Sequence, residues 1–167
     1  IQIGEVDGKR SLERIDAMTG APACPVLTGE SVRGPDRQAI PTHDLGHEPR
    51  KSLDRYAAPK VLVVKTGRGL RVGYDGEGQP TLQSVYCLHV TPEGKALGWT
   101  ARSLARALAD TSVSDRYIAP HTDGKPVFPQ ITVTMLRAIR LPRPPSRRLP
   151  FKDEATAEGT MNAEERP

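Results

Sequence analysis

The sequence predicts an α+β fold: a small curved antiparallel sheet with one main helix, an irregular N-terminal part and a disordered acidic tail. Three observations predict this fold. Strand-like segments follow one another between residues 60 and 90, and one segment with helical spacing follows Thr100. The 15 Gly and 16 Pro among 167 residues favour turns and loops elsewhere. The length is typical of one domain, which we place at residues 1–150, with the tail at 151–167.

The N-terminal third has little regular patterning. Asp7-Gly8 is a turn signal that could join short strands in IQIGEV and KRSLERI. Residues 20–49, from GAPACP to GHEP, are dominated by Gly, Pro, Ser and Thr and are expected to form a loop with brief ordered pieces.

The strand signal becomes strong after Pro59. Val61–Val64 is a continuous apolar run, which predicts a strand buried on both faces. A Gly67–Gly69 turn leads into LRVGY, whose alternation predicts a half-buried strand with Arg71 toward solvent, and together these segments predict a β-hairpin with a basic tip. TLQSVYCLHV at 81–90 is expected to complete a three-stranded antiparallel meander, with Tyr86 and Leu88 on one face and Val85 and Cys87 on the other.

The main helix is predicted after Thr100, a favourable N-cap residue. Its apolar side chains recur at helical spacing: Ala101, Leu104, Ala105 and Leu108. Further on, Pro129 favours an extended VFPQITV segment, and Thr134 is a candidate cap for a short helix, TMLRAI, that ends before Pro142.

The charge is unevenly distributed along the chain. Its 24 Lys and Arg against 20 Asp and Glu give a net charge of +4, yet the last 17 residues carry two basic and five acidic side chains. That tail has too little apolar surface to fold and is expected to be disordered. Basic residues cluster over 50–71 and again over 137–148, which indicates either a polyanion partner or a solvated positive face.

Nucleotide and metal motifs are absent from the sequence. The spacing of Gly67, Gly69 and Gly73 does not fit a dinucleotide loop, and there is no phosphate-binding P-loop or paired-cysteine zinc pattern. Cys87 and His89 could join Cys24 and His121 at a metal, but a small buried cysteine and a partly exposed histidine are the favoured interpretation. We predict no metal and no cofactor for this stretch.

We predict no catalytic residues either. Ser84, His89 and Asp110 could be nominated as a triad, but no nucleophile-elbow motif accompanies them. The apolar runs are too short to span a membrane. The sequence begins at Ile1, without an initiator Met or an apolar signal region, and we interpret it as a fragment of a longer cytoplasmic protein.

The predicted hairpin is the most informative feature for function. A two-stranded ribbon fits the DNA major groove, so the ribbon's cations and neutral donors are candidate DNA contacts. The candidate phosphate anchors are Lys65, Thr66, Arg68, Arg71 and Lys125, and the candidate base readers are Gln83, Ser84 and Gln130. The alternatives are an ordinary hairpin with solubilising charges, a protein-interaction or scaffold module whose basic face docks an acidic partner or a catalytic domain, and a small hydrolase using His89 or His121.

Residues 59–142 resemble the C-terminal target-recognition domain of Taq-type adenine-N6 DNA methyltransferases, which also occurs in fused type II restriction–modification enzymes and phage-defence methyltransferases. Three motifs in order carry the resemblance. They are the strand Pro59–Thr66, the T-L-x-x-V-Y strand of Thr81, Leu82, Val85 and Tyr86, and a closing segment of Phe128, Pro129, Gln130, Ile131, Leu141 and Pro142. VLTGESVRGPDRQ also looks like the family's segment that returns to this domain, whereas Ala109–Ser112 stands where the family has an Asn-Ser pair.

The resemblance implies a role in double-stranded DNA binding and sequence recognition. The parent enzyme would use S-adenosylmethionine to methylate an adenine flipped out of the duplex. Its Asn-Pro-Pro-Tyr box and cofactor loop do not occur in these 167 residues. The implied partners of this chain are therefore double-stranded DNA and a catalytic methyltransferase domain of the same parent chain, with no membrane.

Overall fold

The computed structural model describes residues 1–6, 12–124, 127, 129–142 and 144. The predicted α+β class is confirmed: antiparallel strands form the core, and short helices cover one side of it. The central sheet has four strands in the order β1-β7-β5-β6. Their bounds are Gln2–Ile3 for β1, Lys60–Val64 for β5, Val72–Asp75 for β6 and Val85–Leu88 for β7.

The predicted hairpin of β5 and β6 is confirmed, but the predicted meander is wrong. Strand β7 pairs with β5, in the register Val61 to Leu88, and not with β6. The physical reason is the burial of β5, which lies between β7 and β6. All five residues of β5 are buried, and a strand buried on both faces gains most when both of its edges are also paired.

Both faces of the central sheet are covered. One face packs Val61, Val63 and Tyr86 against the helices. The other packs Leu62, Val85 and Cys87 against Leu27, Ala39 and Tyr56 of the N-terminal part. The predicted split of β7 between two faces is confirmed. In β6, Gly73 alternates onto the same face as Arg71, and this face is covered at Gly73: a Cβ there would lie 3.0 Å from Val32 Cγ1 of the N-terminal part.

The N-terminal part forms a second, three-stranded sheet. Strands β2 (Glu13–Arg14), β3 (Pro25–Val26) and β4 (His43–Asp44) pair in the order β2-β4-β3. Short strands are present in both segments that flank Asp7-Gly8, as predicted, but they do not pair with each other: β1 pairs with β7 of the central sheet and β2 pairs with β4. Asp7 and Gly8 themselves lie outside the described residues.

Short 3₁₀ helices lie between the strands of this part of the chain and after them. They span Ile15–Ala17, Gly29–Ser31 and Leu53–Tyr56. The predicted loop over residues 20–49 therefore contains short ordered pieces, as expected.

The helices follow the central sheet in sequence. They are α1 (Pro92–Ala96), α2 (Ala101–Ala109), α3 (Thr111–Tyr117), α4 (Ala119–Thr122) and α5 (Val133–Ala138). Thr100 caps α2 as predicted, by accepting a hydrogen bond from Ser103 N, and Ala101, Ala105 and Leu108 are buried.

The cap of α5 differs from the prediction. Thr132, not Thr134, caps the helix, because the extended segment ends at Ile131 and the Thr132 hydroxyl accepts from Met135 N. The predicted acidic tail at 151–167 lies outside the described residues. Among the helices that the structure describes, none has the length and apolar character needed to cross a bilayer.

Candidate nucleic-acid interface

The chain continues the sheet beyond the end of β5. Lys65 N donates to Ser84 O at 2.9 Å, Ile131 N donates to Lys65 O at 2.7 Å, and Gly67 N donates to Pro129 O at 3.0 Å. Thr66 and Gln130 face each other in an antiparallel bridge. We call this region, formed by Lys65–Arg68, Ser84 and Pro129–Ile131, the ribbon end of the sheet. It brings together five of the predicted DNA-contact residues: Lys65, Thr66, Arg68, Ser84 and Gln130.

Lys65 is held on the helix-covered face of the sheet. Its Nζ lies 4.7 Å from the centre of the Tyr86 ring, and the Tyr86 hydroxyl donates to Ile131 O at 3.2 Å. A cation over an aromatic face is attracted by the ring's negative π surface. Partial burial lowers the pKa of Lys65, and the nearby positive charge of Lys51 lowers it further. The ammonium thus lies where a negative partner would relieve both effects.

The polar side chains of the ribbon end differ in how well they are satisfied. The Ser84 Oγ is buried and has no hydrogen-bond partner among the described residues. Thr66 and Gln130 are exposed, and their side chains are neighbours because the two residues pair in a β-bridge. Gln83 lies apart from them, next to β1, where its Nε2 donates to Val6 O at 3.2 Å.

The tip of the hairpin is seated against the helices. Leu70 N donates to Ser114 Oγ of α3 at 2.9 Å, and Thr122 Oγ1 of α4 donates to Arg68 O at 3.2 Å. The Arg68 side chain is exposed. The tip is therefore not a free-standing two-stranded ribbon: α3 and α4 contact one of its sides, and its other side is exposed.

Of the remaining predicted anchors, Arg71 does not join Lys65. Arg71 projects to the face covered by the N-terminal part, where its Nη2 donates to Gly29 O at 3.1 Å. Lys125 lies outside the described residues. The seven predicted residues that the structure describes thus do not form one continuous row.

The cations of the hairpin are not among those that pair with carboxylates in the described part of the chain. Arg14, Lys60 and Arg106 each form an ion pair with a carboxylate. Lys65, Arg68 and Arg71 have no carboxylate within ion-pair distance among the described residues. Their charge is therefore not neutralised by this part of the chain itself.

The helices carry further cations outside the hairpin. Helix α3 packs on α5, and the Tyr117 hydroxyl donates to Arg140 O at 3.5 Å. Arg116 lies 5.4 Å from the centre of the Tyr117 ring. Arg140 belongs to a basic run visible in the sequence, whereas Arg116 stands beside Asp115 and had no such signal.

The structure assembles none of the considered catalytic or metal sites. Ser84 precedes β7 and His89 follows it, which separates them by about 16 Å of extended chain. Asp110 is engaged in capping α3 through Ser112 N. Burial raises the pKa of the Cys87 thiol, which makes it a poor nucleophile. No group of His, Cys, Asp and Glu that could hold a metal ion occurs among the residues described.

Comparison of this chain with protein-family models finds no matching family, and comparisons with curated proteins and with solved structures find no match either.

Proposed function

We propose that this chain binds double-stranded DNA through the ribbon end of its sheet, as the target-recognition domain of an adenine-N6 DNA methyltransferase or restriction–modification enzyme. The observation that carries the proposal is the absence of acidic partners for Lys65 and Arg68 among the described residues, in a region where neutral donors lie beside them. Clustered cations with adjacent hydroxyl and amide groups suit phosphate and base contacts.

The residues of the ribbon end have separate roles in this proposal. Lys65 and Arg68 hold phosphates, with Thr66 as a neutral donor. Gln130 reaches a base edge, because an exposed amide can pair with adenine, whereas the Ser84 Oγ is buried and takes no base contact in this proposal. Arg116 and Arg140 extend the positive surface across the helices.

Catalysis belongs to a different part of the parent protein in this proposal. The chain supplies grip and sequence choice, and a methyltransferase domain that binds S-adenosylmethionine supplies the chemistry. The gene on either side of this stretch tests that assignment directly: an Asn-Pro-Pro-Tyr box with a glycine-rich cofactor loop supports it, and an unrelated neighbouring domain contradicts it.

The DNA-binding proposal is tested by removing two charges from the ribbon end. The double variant Lys65→Gln/Arg68→Gln should bind duplex DNA at least about tenfold more weakly at low salt, and its log K against log[salt] slope should flatten by about two, because two phosphate contacts are lost. Filter binding or fluorescence anisotropy across a salt series measures both quantities.

The matched control is Arg14→Gln/Arg106→Gln, which removes the same charge from exposed arginines that already have carboxylate partners. It should leave affinity and slope nearly unchanged. Equal losses of DNA affinity in the two double variants would mean that the affinity depends only on the net charge of the protein. If the wild-type chain shows no salt-dependent DNA binding but captures an acidic protein partner, the interaction-module alternative is correct.

A further inference from the structure

A pocket of about 400 Å³ opens at the opposite end of the central sheet from the ribbon end. It lies where β5 begins and β7 ends, under the connection from α1 to α2. This volume is within the range of small-molecule sites. The residues around it are mostly apolar, with two aromatic rings and one cation: Ala57, Ala58, Pro59, His89, Val90, Lys95, Trp99, Thr100 and Ala101.

His89 presents a defined hydrogen-bonding state to this pocket. Its Nε2 lies 3.1 Å from Arg55 O, and a carbonyl oxygen only accepts, so Nε2 carries the hydrogen. Partial burial lowers the pKa of His89, and the charges of Lys60 and Lys95 lower it further. The ring is therefore neutral at neutral pH, and its Nδ1 is an acceptor.

Trp99 and Lys95 supply the other two elements of recognition. The half-buried indole of Trp99 is a flat surface on which a planar ring can stack. Lys95 is exposed and has no carboxylate within ion-pair distance among the described residues. No Asp or Glu is found among the lining residues, so the pocket favours an anionic ligand over a cationic one.

We propose that this pocket binds one nucleotide: a base that carries an exocyclic amino group stacks on Trp99, donates to His89 Nδ1, and places its phosphate at Lys95. The amino group selects adenine or cytosine over uracil or thymine, which present a carbonyl oxygen at the corresponding position. The ligand is a free nucleoside monophosphate or one unpaired nucleotide of DNA. The pocket uses none of the residues of the ribbon end, so this inference does not depend on the proposed function.

The single tryptophan of the chain reports on its own pocket. Titration with AMP or CMP, followed by Trp99 fluorescence excited at the red edge of the indole band, should give a saturating change. UMP should bind about tenfold more weakly, since its O4 meets an acceptor nitrogen. Lys95→Gln should weaken AMP about tenfold while leaving adenosine unaffected. A non-saturating response, or equal binding of AMP and UMP, overturns the proposal.

Further measurements distinguish nucleotide binding in the pocket from DNA binding at the ribbon end. Ala57→Phe adds a ring at the exposed rim and should abolish the AMP response, whereas Lys65→Gln/Arg68→Gln should leave it unchanged. A duplex with one unpaired adenine that changes Trp99 fluorescence more strongly than a fully paired duplex assigns the nucleotide to DNA, and equal responses assign it to the free form. An AMP response that disappears with the ribbon-end charges contradicts a separate pocket.

Discussion

Two lysines lie at opposite ends of β5 and have opposite environments. Lys60 is fully buried: its Nζ donates to an Asp75 carboxylate oxygen, to Tyr56 O at 2.8 Å and to Gln79 O at 2.9 Å. Lys65 is partly exposed, lies over the Tyr86 ring, and has no carboxylate within ion-pair distance among the described residues. One ammonium is neutralised inside the fold, and the other lies partly exposed over an aromatic ring.

The difference shows why counting charge along a sequence overstates a binding surface. Asp75 organises the turn after β6, where its carboxylate accepts from the backbone N atoms of Glu77 and Gln79 at 2.9 Å, and Lys60 neutralises it. A buried pair of this kind is strongly coupled to folding, because the removal of one member leaves the other charge unpaired away from water. Of the two ends of β5, the one that carries Lys65 therefore contributes to the external field, and the one that carries Lys60 does not.

The largest effect should follow Lys60→Met. This variant keeps an unbranched side chain of similar length but leaves the Asp75 carboxylate buried without its counter-ion. The free energy of unfolding should fall by about 3–5 kcal/mol, measured by urea denaturation at neutral pH. Lys65→Met is the matched control, with the same chemical change at the residue that follows β5. Similar losses of unfolding free energy in the two variants would show that Lys60 and Lys65 contribute equally to stability.

A second, smaller effect concerns acid. Burial alone would raise the pKa of Asp75, but the hydrogen bond and charge of Lys60, with the Glu77 amide and Gln38, outweigh it and lower the pKa. A carboxyl whose folded pKa is depressed stabilises the fold above its unfolded pKa of about 3.9, and this stabilisation is lost as pH falls through the folded value. Wild-type stability should therefore fall in acid.

Lys60→Met sharpens that test. Without the lysine the main cause of the depressed pKa is gone, so the difference in unfolding free energy between wild type and variant should shrink as pH falls from 7 to about 3. The expected change is about 1.4 kcal/mol for every pKa unit that Lys60 contributes. A difference that stays constant across this range would show that Asp75 does not titrate with the fold.

Local pattern predicted much of the fold. The apolar run of β5, the alternation of β7 and the Thr100 cap of α2 depend on neighbours in sequence, and each is confirmed. The position of β7 beside β5, and of β1 at the edge of the same sheet, depends on pairing between distant segments, for which a single sequence has no periodic signal.

The candidate site was harder to predict for the same reason. The bridge from Thr66 to Gln130 joins segments that are far apart in sequence, and the contact of Arg71 with Gly29 separates it from Lys65. The sequence shows that Lys60 and Lys65 are both basic, but the burial of one arises from a turn fifteen residues later in the chain. The pocket beside Trp99 combines three separate segments, none of which carries a motif.

The smallest effect on stability should follow Lys65→Met, and there the comparison is sharpest. Loss of the contact between the ammonium and Tyr86 is offset by the burial of a less polar side chain, so the free energy of unfolding should change by less than about 0.5 kcal/mol. Its DNA affinity should nevertheless fall, with a salt slope reduced by about one. A variant that loses stability but not the salt slope would assign Lys65 to the fold, and then the two ends of β5 would serve the same purpose.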